Sequence, residues 1–139
     1  MYTFDANIVS DLHKDARGFR PSEYFWEEWS QCGDDNRQMI WDSLVNELEQ
    51  ANAEQARREA ISIGDFERGV RQNLALGAGD RATAIRWMLD GVLNDHDLWY
   101  GGEYACYLFN LPYSFRAELD PVVAQIQQMR NKEVDSVAA

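Results

Sequence analysis

The chain has 139 residues, with 24 acids against 13 bases for a net charge of −11, and is 45% hydrophobic and 12% aromatic. That is globular composition with enough apolar material for a core without a metal or disulfide staple, and it excludes wholesale disorder. So acidic a chain argues against direct binding to nucleic-acid backbones, which takes a basic face, and no apolar run approaches the roughly 18 residues of a membrane span.

The start, Met1-Tyr2-Thr3-Phe4-Asp5, has neither the basic nor the apolar region of a secretory signal. No stretch alternates apolar and polar residues long enough for a strand, and Pro21, Pro112 and Pro121 sit where helices could start or stop. The chain therefore reads as all-α, one domain over residues 1–139, a compact bundle of about five to seven helices with one long central helix.

In chain order, a first helix is expected from about Ala6 to Arg17. Asp5 is its cap, Ile8, Val9, Leu12 and Ala16 form its inward stripe, and Gly18 takes the left-handed turn that ends it. Pro21 and Ser22 open a short helix carrying Tyr24, Phe25, Trp26 and Trp29, and Gly33 closes it. The long helix spans residues 36–76 and opens on Asp35 and Gln38, which have capping-box spacing. Met39, Ile40, Trp41, Leu44, Val45, Leu48 and Ala51 mark its apolar face, and the spacing leaves open which of Ile40 and Trp41 turns inward. The stretch Asn52 to Glu59 is polar and rich in strong helix formers, and the stripe resumes at Ile61, Ile63, Phe66, Val70 and Leu74. Gly64 and Gly69 each cost about 1 kcal/mol against alanine inside a helix, so either one helix runs through from Asn36 to Leu76 or, the favoured reading, it bends or breaks near Gly64.

Gly77-Ala78-Gly79 stops the long helix, and Asp80 caps the next one, which runs through Ala84, Ile85, Met88 and Leu89 to Gly91. Residues 92–101 read as a loop, and Gly102 to Phe109 as a short helix ended by the Asn110-Leu111-Pro112 turn. Ser114 is a candidate cap for a turn through Leu119. Asp120 and Pro121 read as the cap and first position of a last helix, with Val122, Ile126 and Met129 inward and Arg130 and Lys132 at its negative end. Residues 133–139 are expected to fray.

Chemistry-bearing groups are sparse. Asp11, His13 and Asp15 lie two apart on an expected helix and so point in different directions. Asp95, His96 and Asp97 could reach a cation from a loop but lack the later ligands of a calcium-binding loop. Cys32 and Cys106 make no zinc or redox pattern and read as buried small hydrophobes. No catalytic residue, metal or cofactor is expected. The helices over Asp80 to Phe115 have the outline of a helix-turn-helix, but the would-be recognition helix, with Glu103, Tyr104, Tyr107 and Phe109, carries no lysine or arginine.

The 5 Trp, 6 Tyr and 6 Phe cluster over residues 24–29 and 99–115. Rings are ordinary core material, yet Tyr24, Phe25, Trp26 and Trp29 occupy most faces of one short helix, so a ring among them is expected at the surface. Tyrosine and tryptophan dominate interface hot spots.

Two runs are distinctive: Asn7-Ile8-Val9-Ser10-Asp11-Leu12-His13-Lys14-Asp15-Ala16-Arg17-Gly18-Phe19-Arg20-Pro21 and Gly77-Ala78-Gly79-Asp80-Arg81-Ala82-Thr83-Ala84-Ile85-Arg86-Trp87. With Tyr100-Gly101-Gly102 and Leu111-Pro112-Tyr113-Ser114, the chain resembles, over nearly its whole length, a family of small proteins encoded by tailed bacteriophages. The resemblance implies a protein made in the cytoplasm of an infected bacterial host and brings no catalytic motif. Small acidic phage proteins often act by blocking a host protein. The expectation is therefore an anti-CRISPR-like inhibitor that docks on a host protein or ribonucleoprotein complex with a basic surface, without direct contact to nucleic acid or membrane. Its expected partner-binding residues are Glu23, Trp26, Glu27 and Glu28, with Asp95, Asp97 and Glu103 second. The alternatives are a homo-oligomer, such as a homodimer built on the 36–76 helix, serving the virion or replication machinery, and, last, an enzyme with a site at His96 and Asp97.

Overall fold

A computed structural model describes residues 1–138, and the side chains of residues 1–134. The described residues are all-α. There are seven helices: α1 Val9–Arg17, α2 Glu23–Gln31, α3 Asp34–Ala75, α4 Arg81–Asp90, α5 Asp95–Leu98, α6 Gly101–Leu108 and α7 Arg116–Ala138, with a 3₁₀ turn at Tyr113–Phe115. The chain divides into two compact units, Met1–Arg57 and Arg58–Ala139, each with its own core. The first holds 5 bases and 12 acids for a net −7, the second 8 and 12 for a net −4.

In the first unit, Val9, Phe25, Trp29 and Leu44 are buried, with Phe4, Leu12, Ala16, Ile40 and Trp41 packed against them. Both residues left open by the spacing thus serve the core. The first helix begins three residues later than expected, at Val9. Asp5 instead organises the turn before it, its carboxylate accepting from the Asn7 amide at 2.8 Å and its carbonyl from the amides of Ile8 and Val9. Gly18 ends α1 at φ 88°, the left-handed geometry that glycine adopts without steric cost. Ser22 caps α2 by accepting from the Phe25 amide.

Asp35 and Gln38 do not form a capping box. Gln38 Oε1 accepts from the amides of Thr3 and Phe4 at 2.8 and 3.2 Å, and Asp35 accepts from the Tyr2 hydroxyl at 2.5 Å. These side chains tie the N-terminal segment down instead of capping their own helix. The bond to a carboxylate holds the Tyr2 phenol above its usual range.

Helix α3 is unbroken for 42 residues, about 63 Å at the standard rise. The break expected near Gly64 is absent. A Cβ there would meet nothing within 4 Å, so this glycine costs only its propensity, which the helix formers around it outweigh. Residues 49–58 are exposed except for half-buried Glu54.

In the second unit, Phe66, Val70, Ala84, Ile85, Leu89, Leu93, Leu98, Ala105, Cys106, Leu111, Leu119, Val122, Val123 and Ile126 make the main core. Asp80 caps α4 through the Thr83 amide at 2.8 Å, and Gly91 follows its last residue. The expected loop over residues 92–101 contains a helical turn, α5. Asn94 and Asp97 close it as a reciprocal capping box, a short-range pattern set by Asn at the cap and an acid three residues on.

The expected cap at Asp120 is overturned, because Pro121 lies inside α7, which begins at Arg116 after the 3₁₀ turn. Ser114 therefore sits within that turn and caps nothing through Leu119. Asp120 is committed elsewhere, accepting from the Gly102 amide at 2.7 Å and from Arg116 Nε at 3.0 Å. The Gly102 bond ties this turn to α6 and the Arg116 bond spans it within α7, supporting the helix although proline removes one bond of the ladder. Val122 and Ile126 are buried, whereas Met129 is exposed. Arg130, placed from sequence at the dipole end, reaches Asp90, Asp95 and the Leu93 carbonyl. Of the end expected to fray, α7 is helical to Ala138, and Ala139 lies outside the described residues.

Candidate functional site

Helix α2 sorts its side chains by period. Phe25 and Trp29, four apart, are buried against α1 and α3, with Phe25 edge-on to His13 at 5.0 Å and stacked on Trp29 at 6.1 Å. Glu23, Trp26, Glu27 and Ser30 fall at i, i+3, i+4 and i+7 and so share another face. With the rim of Trp29 they line an open groove of about 550 Å³. Trp26 is 37% exposed, and its ring stands edge-on to that of Phe25 with centroids 5.4 Å apart. Glu28 does not line this groove. It lies on the next face, four residues after Tyr24, which is 76% exposed. The surface ring expected on this helix is thus present twice, at Tyr24 and Trp26.

The charge of this surface is uncompensated. Glu23, Glu27 and Glu28 are exposed, and none has an ion-pair partner among the described residues. Arg37 of α3 reaches α2 but is spent on the helix end. It donates to the carbonyls of Trp29 at 2.8 Å and Ser30 at 3.3 Å, pairs with Asp34 at 3.1 Å, and lies 5.9 Å over the Trp29 ring. Arg37 supplies from the next helix the cation that α2 lacks in its own last turn.

The second set of expected residues lies in the other unit, and the structure gives its members different work. Asp97 is half-buried and takes the Asn94 amide in the capping box, so it is a structural residue. Asp95 is exposed and accepts from Arg130 Nη1 at 3.0 Å. Glu103 projects from α6, 4.0 Å from Arg116, beside Tyr100 and the two tyrosines that the sequence placed on the would-be recognition helix, Tyr104 and Tyr107. Their common spacing along α6 was visible, but an apolar stripe by itself reads as core.

Other chemistry is poorly housed. His13 is buried, its Nδ1 2.7 Å from the Phe19 carbonyl and its Nε2 3.5 Å from Arg17. Burial pushes the Cys106 thiol above its usual range, the Asp120 charge adding to this, so it is a poor source of thiolate. Cys32 donates to the Trp29 carbonyl at 3.4 Å. Among the described residues no three His, Cys, Asp or Glu side chains gather to hold a metal, and no helix is long and apolar enough to cross a membrane. No protein-family model, curated protein or solved structure matches the chain.

Proposed function

We propose that this chain is a non-catalytic binding protein. It docks the Glu23–Trp26–Glu27 face of α2 on a basic, nucleic-acid-handling partner protein and blocks that partner sterically. An inhibitor of a bacterial defence complex, of the anti-CRISPR type, is the specific form that the phage resemblance suggests. The observation that carries the proposal is the pairing of a half-exposed tryptophan, edge-on to Phe25, with carboxylates that have no cation of their own. Other acids have cations of their own, as Glu47 has Arg17 and Glu67 has Arg81. Unpaired acids steer a basic partner inward and raise the association rate, while a ring that leaves water on binding slows dissociation. A unit with a net charge of −7 strengthens that steering.

The test begins with affinity capture from bacterial cells and identification of the captured protein, and is decided by kinetics with that purified partner. Reversing Glu23, Glu27 and Glu28 to lysine should slow association about tenfold or more at low salt and flatten its salt dependence. Trp26→Ala should speed dissociation about tenfold to a hundredfold while leaving association nearly unchanged. Unchanged kinetics in both variants would remove this face from the mechanism. Substrate turnover dependent on a named side chain would overturn the binding-protein reading itself.

A further inference from the structure

Helix α6 turns its small residues inward and Tyr107 outward, with Tyr104 half-buried between them against the core. Gly102, Ala105 and Cys106 face the core. A Cβ on Gly102 would stand 2.6 Å from Asp120 Oδ1 and 2.7 Å from the Asp120 amide nitrogen, so α7 passes too close for anything larger. That contact accounts for the inner face. It does not account for the outer one, where lysine or glutamate would serve solubility better than tyrosine.

The outer face carries Tyr100, Glu103, Tyr104 and Tyr107 at i, i+3, i+4 and i+7, lining a surface groove of about 330 Å³. The rings form a continuous row. His96 of α5 meets Tyr100 edge-on at 5.5 Å, Tyr100 lies 5.9 Å from Tyr104, and Tyr104 stacks on Tyr107 at 6.0 Å. Tyr107 is 74% exposed, and none of the three tyrosine hydroxyls has a hydrogen-bond partner among the described residues. Two exposed rings, Tyr100 and Tyr107, joined through half-buried Tyr104, mark a contact surface.

Charge selects the occupant. The π-faces are negative, and the Glu103 carboxylate stands within the row, at the limit of ion-pair distance (4.0 Å) from Arg116. Arg116, the base nearest Glu103, is held by Asp120 and by the Tyr113 hydroxyl. A guanidinium matches both halves of the groove: its plane stacks on a ring, and its fork of N–H groups fits a carboxylate. A nucleobase would also stack here, but its phosphates would meet the Glu103 carboxylate.

We infer that the α6 groove binds an arginine side chain from a basic segment of a partner polypeptide, stacked on Tyr104 and Tyr107 and donating to Glu103. This site is on a different unit from the α2 face and does not depend on it.

The test is an NMR titration of the full-length protein with a short Gly/Ser peptide bearing a pair of arginines, alongside the same peptide with lysine or citrulline. The arginine peptide should shift the ring signals of Tyr100, Tyr104 and Tyr107 and bind several-fold tighter than the lysine peptide, and the citrulline peptide should not bind. Tyr107→Leu keeps an apolar side chain at an exposed position and should weaken binding about tenfold, as should Glu103→Gln, while Trp26→Ala should leave it unchanged. Equal binding of lysine and arginine peptides to the wild type and to Tyr107→Leu would reduce the effect to bulk charge and overturn the site. Stronger ring shifts with oligothymidylate would make it a nucleic-acid surface instead. Concentration-dependent sedimentation abolished by Tyr107→Leu would make its occupant a second copy of this chain.

Discussion

Three glycines in the second unit should respond in different ways to the same added methyl group. At Gly102 the new Cβ meets backbone: the Asp120 nitrogen at 2.7 Å and the Leu119 carbonyl carbon at 3.1 Å. No rotamer change relieves that, so α6 must move away from α7. Overpacking costs about 1–3 kcal/mol, and losing the Gly102 amide bond to the Asp120 carboxylate costs about 1.5–3 kcal/mol. The better helix propensity of alanine returns about 1 kcal/mol. Gly102→Ala should therefore destabilise the unit by about 2–5 kcal/mol. At Gly64 the Cβ meets nothing within 4 Å, so Gly64→Ala should stabilise by about 0.5–1 kcal/mol. At Gly69 it meets only the Met88 methyl at 2.5 Å, the far end of a flexible side chain, so the propensity gain and the repacking cost should cancel to within about 1 kcal/mol. The assay is urea unfolding followed by far-UV circular dichroism, with amide exchange at Ile85, Leu89 and Leu119 reporting on this unit's core. A Gly102→Ala variant as stable as wild type would refute the close α6–α7 approach, and a Gly64→Ala variant less stable than wild type would refute the solvated continuous α3.

Further outcomes concern pH and capping. The Arg17 guanidinium beside Glu47 and the Arg81 guanidinium beside Glu67 hold both carboxyls below the usual range. Depressed carboxyl pKa values add stability above the unfolded value, about 4.3 for glutamate, and that stability is lost as pH falls through the lower folded values. Chemical-denaturation midpoints should therefore decline below about pH 4.5, and Glu67→Gln should make that decline shallower. Identical slopes in the two proteins would refute the role of the pair. Ser22→Ala and Asp80→Ala each remove a side chain that accepts from a helix's first turn. Each should cost about 1 kcal/mol, lowering the melting temperature by several degrees. Unchanged melting curves would show that water caps these helices equally well.

Much of the fold was legible where the signal is local. Ser22 and Asp80 cap the helices they precede, Gly18 ends α1, and an absent strand period meant helices throughout. Two misreadings share one cause, local signals outvoted by partners elsewhere. Asp35 and Gln38 have capping-box spacing, but the N-terminal segment takes their side chains. Asp120-Pro121 has the look of a helix start, but the Gly102 amide and Arg116 occupy the aspartate while the helix begins earlier. Gly64 looked like a break, and a helix with strong formers on both sides ran through it. Of the expected binding residues, Glu23, Trp26 and Glu27 come together because their spacing is helical, Glu28 falls on the neighbouring face, and Asp97 is consumed by a cap.

The sequence alone determined that this chain is helical and strongly acidic, where most of its helices begin and end, and that one short helix carries more rings than a single inward face can hold. These properties depend on composition and on residues within about four positions of each other, the reach of a helical turn. Only the tertiary structure decided which rings face outward. That choice rests on how closely two backbones approach, as at Gly102 and Asp120, and on where each arginine finds its carboxylate. Both are contacts between residues far apart in the chain, to which helical periodicity is blind.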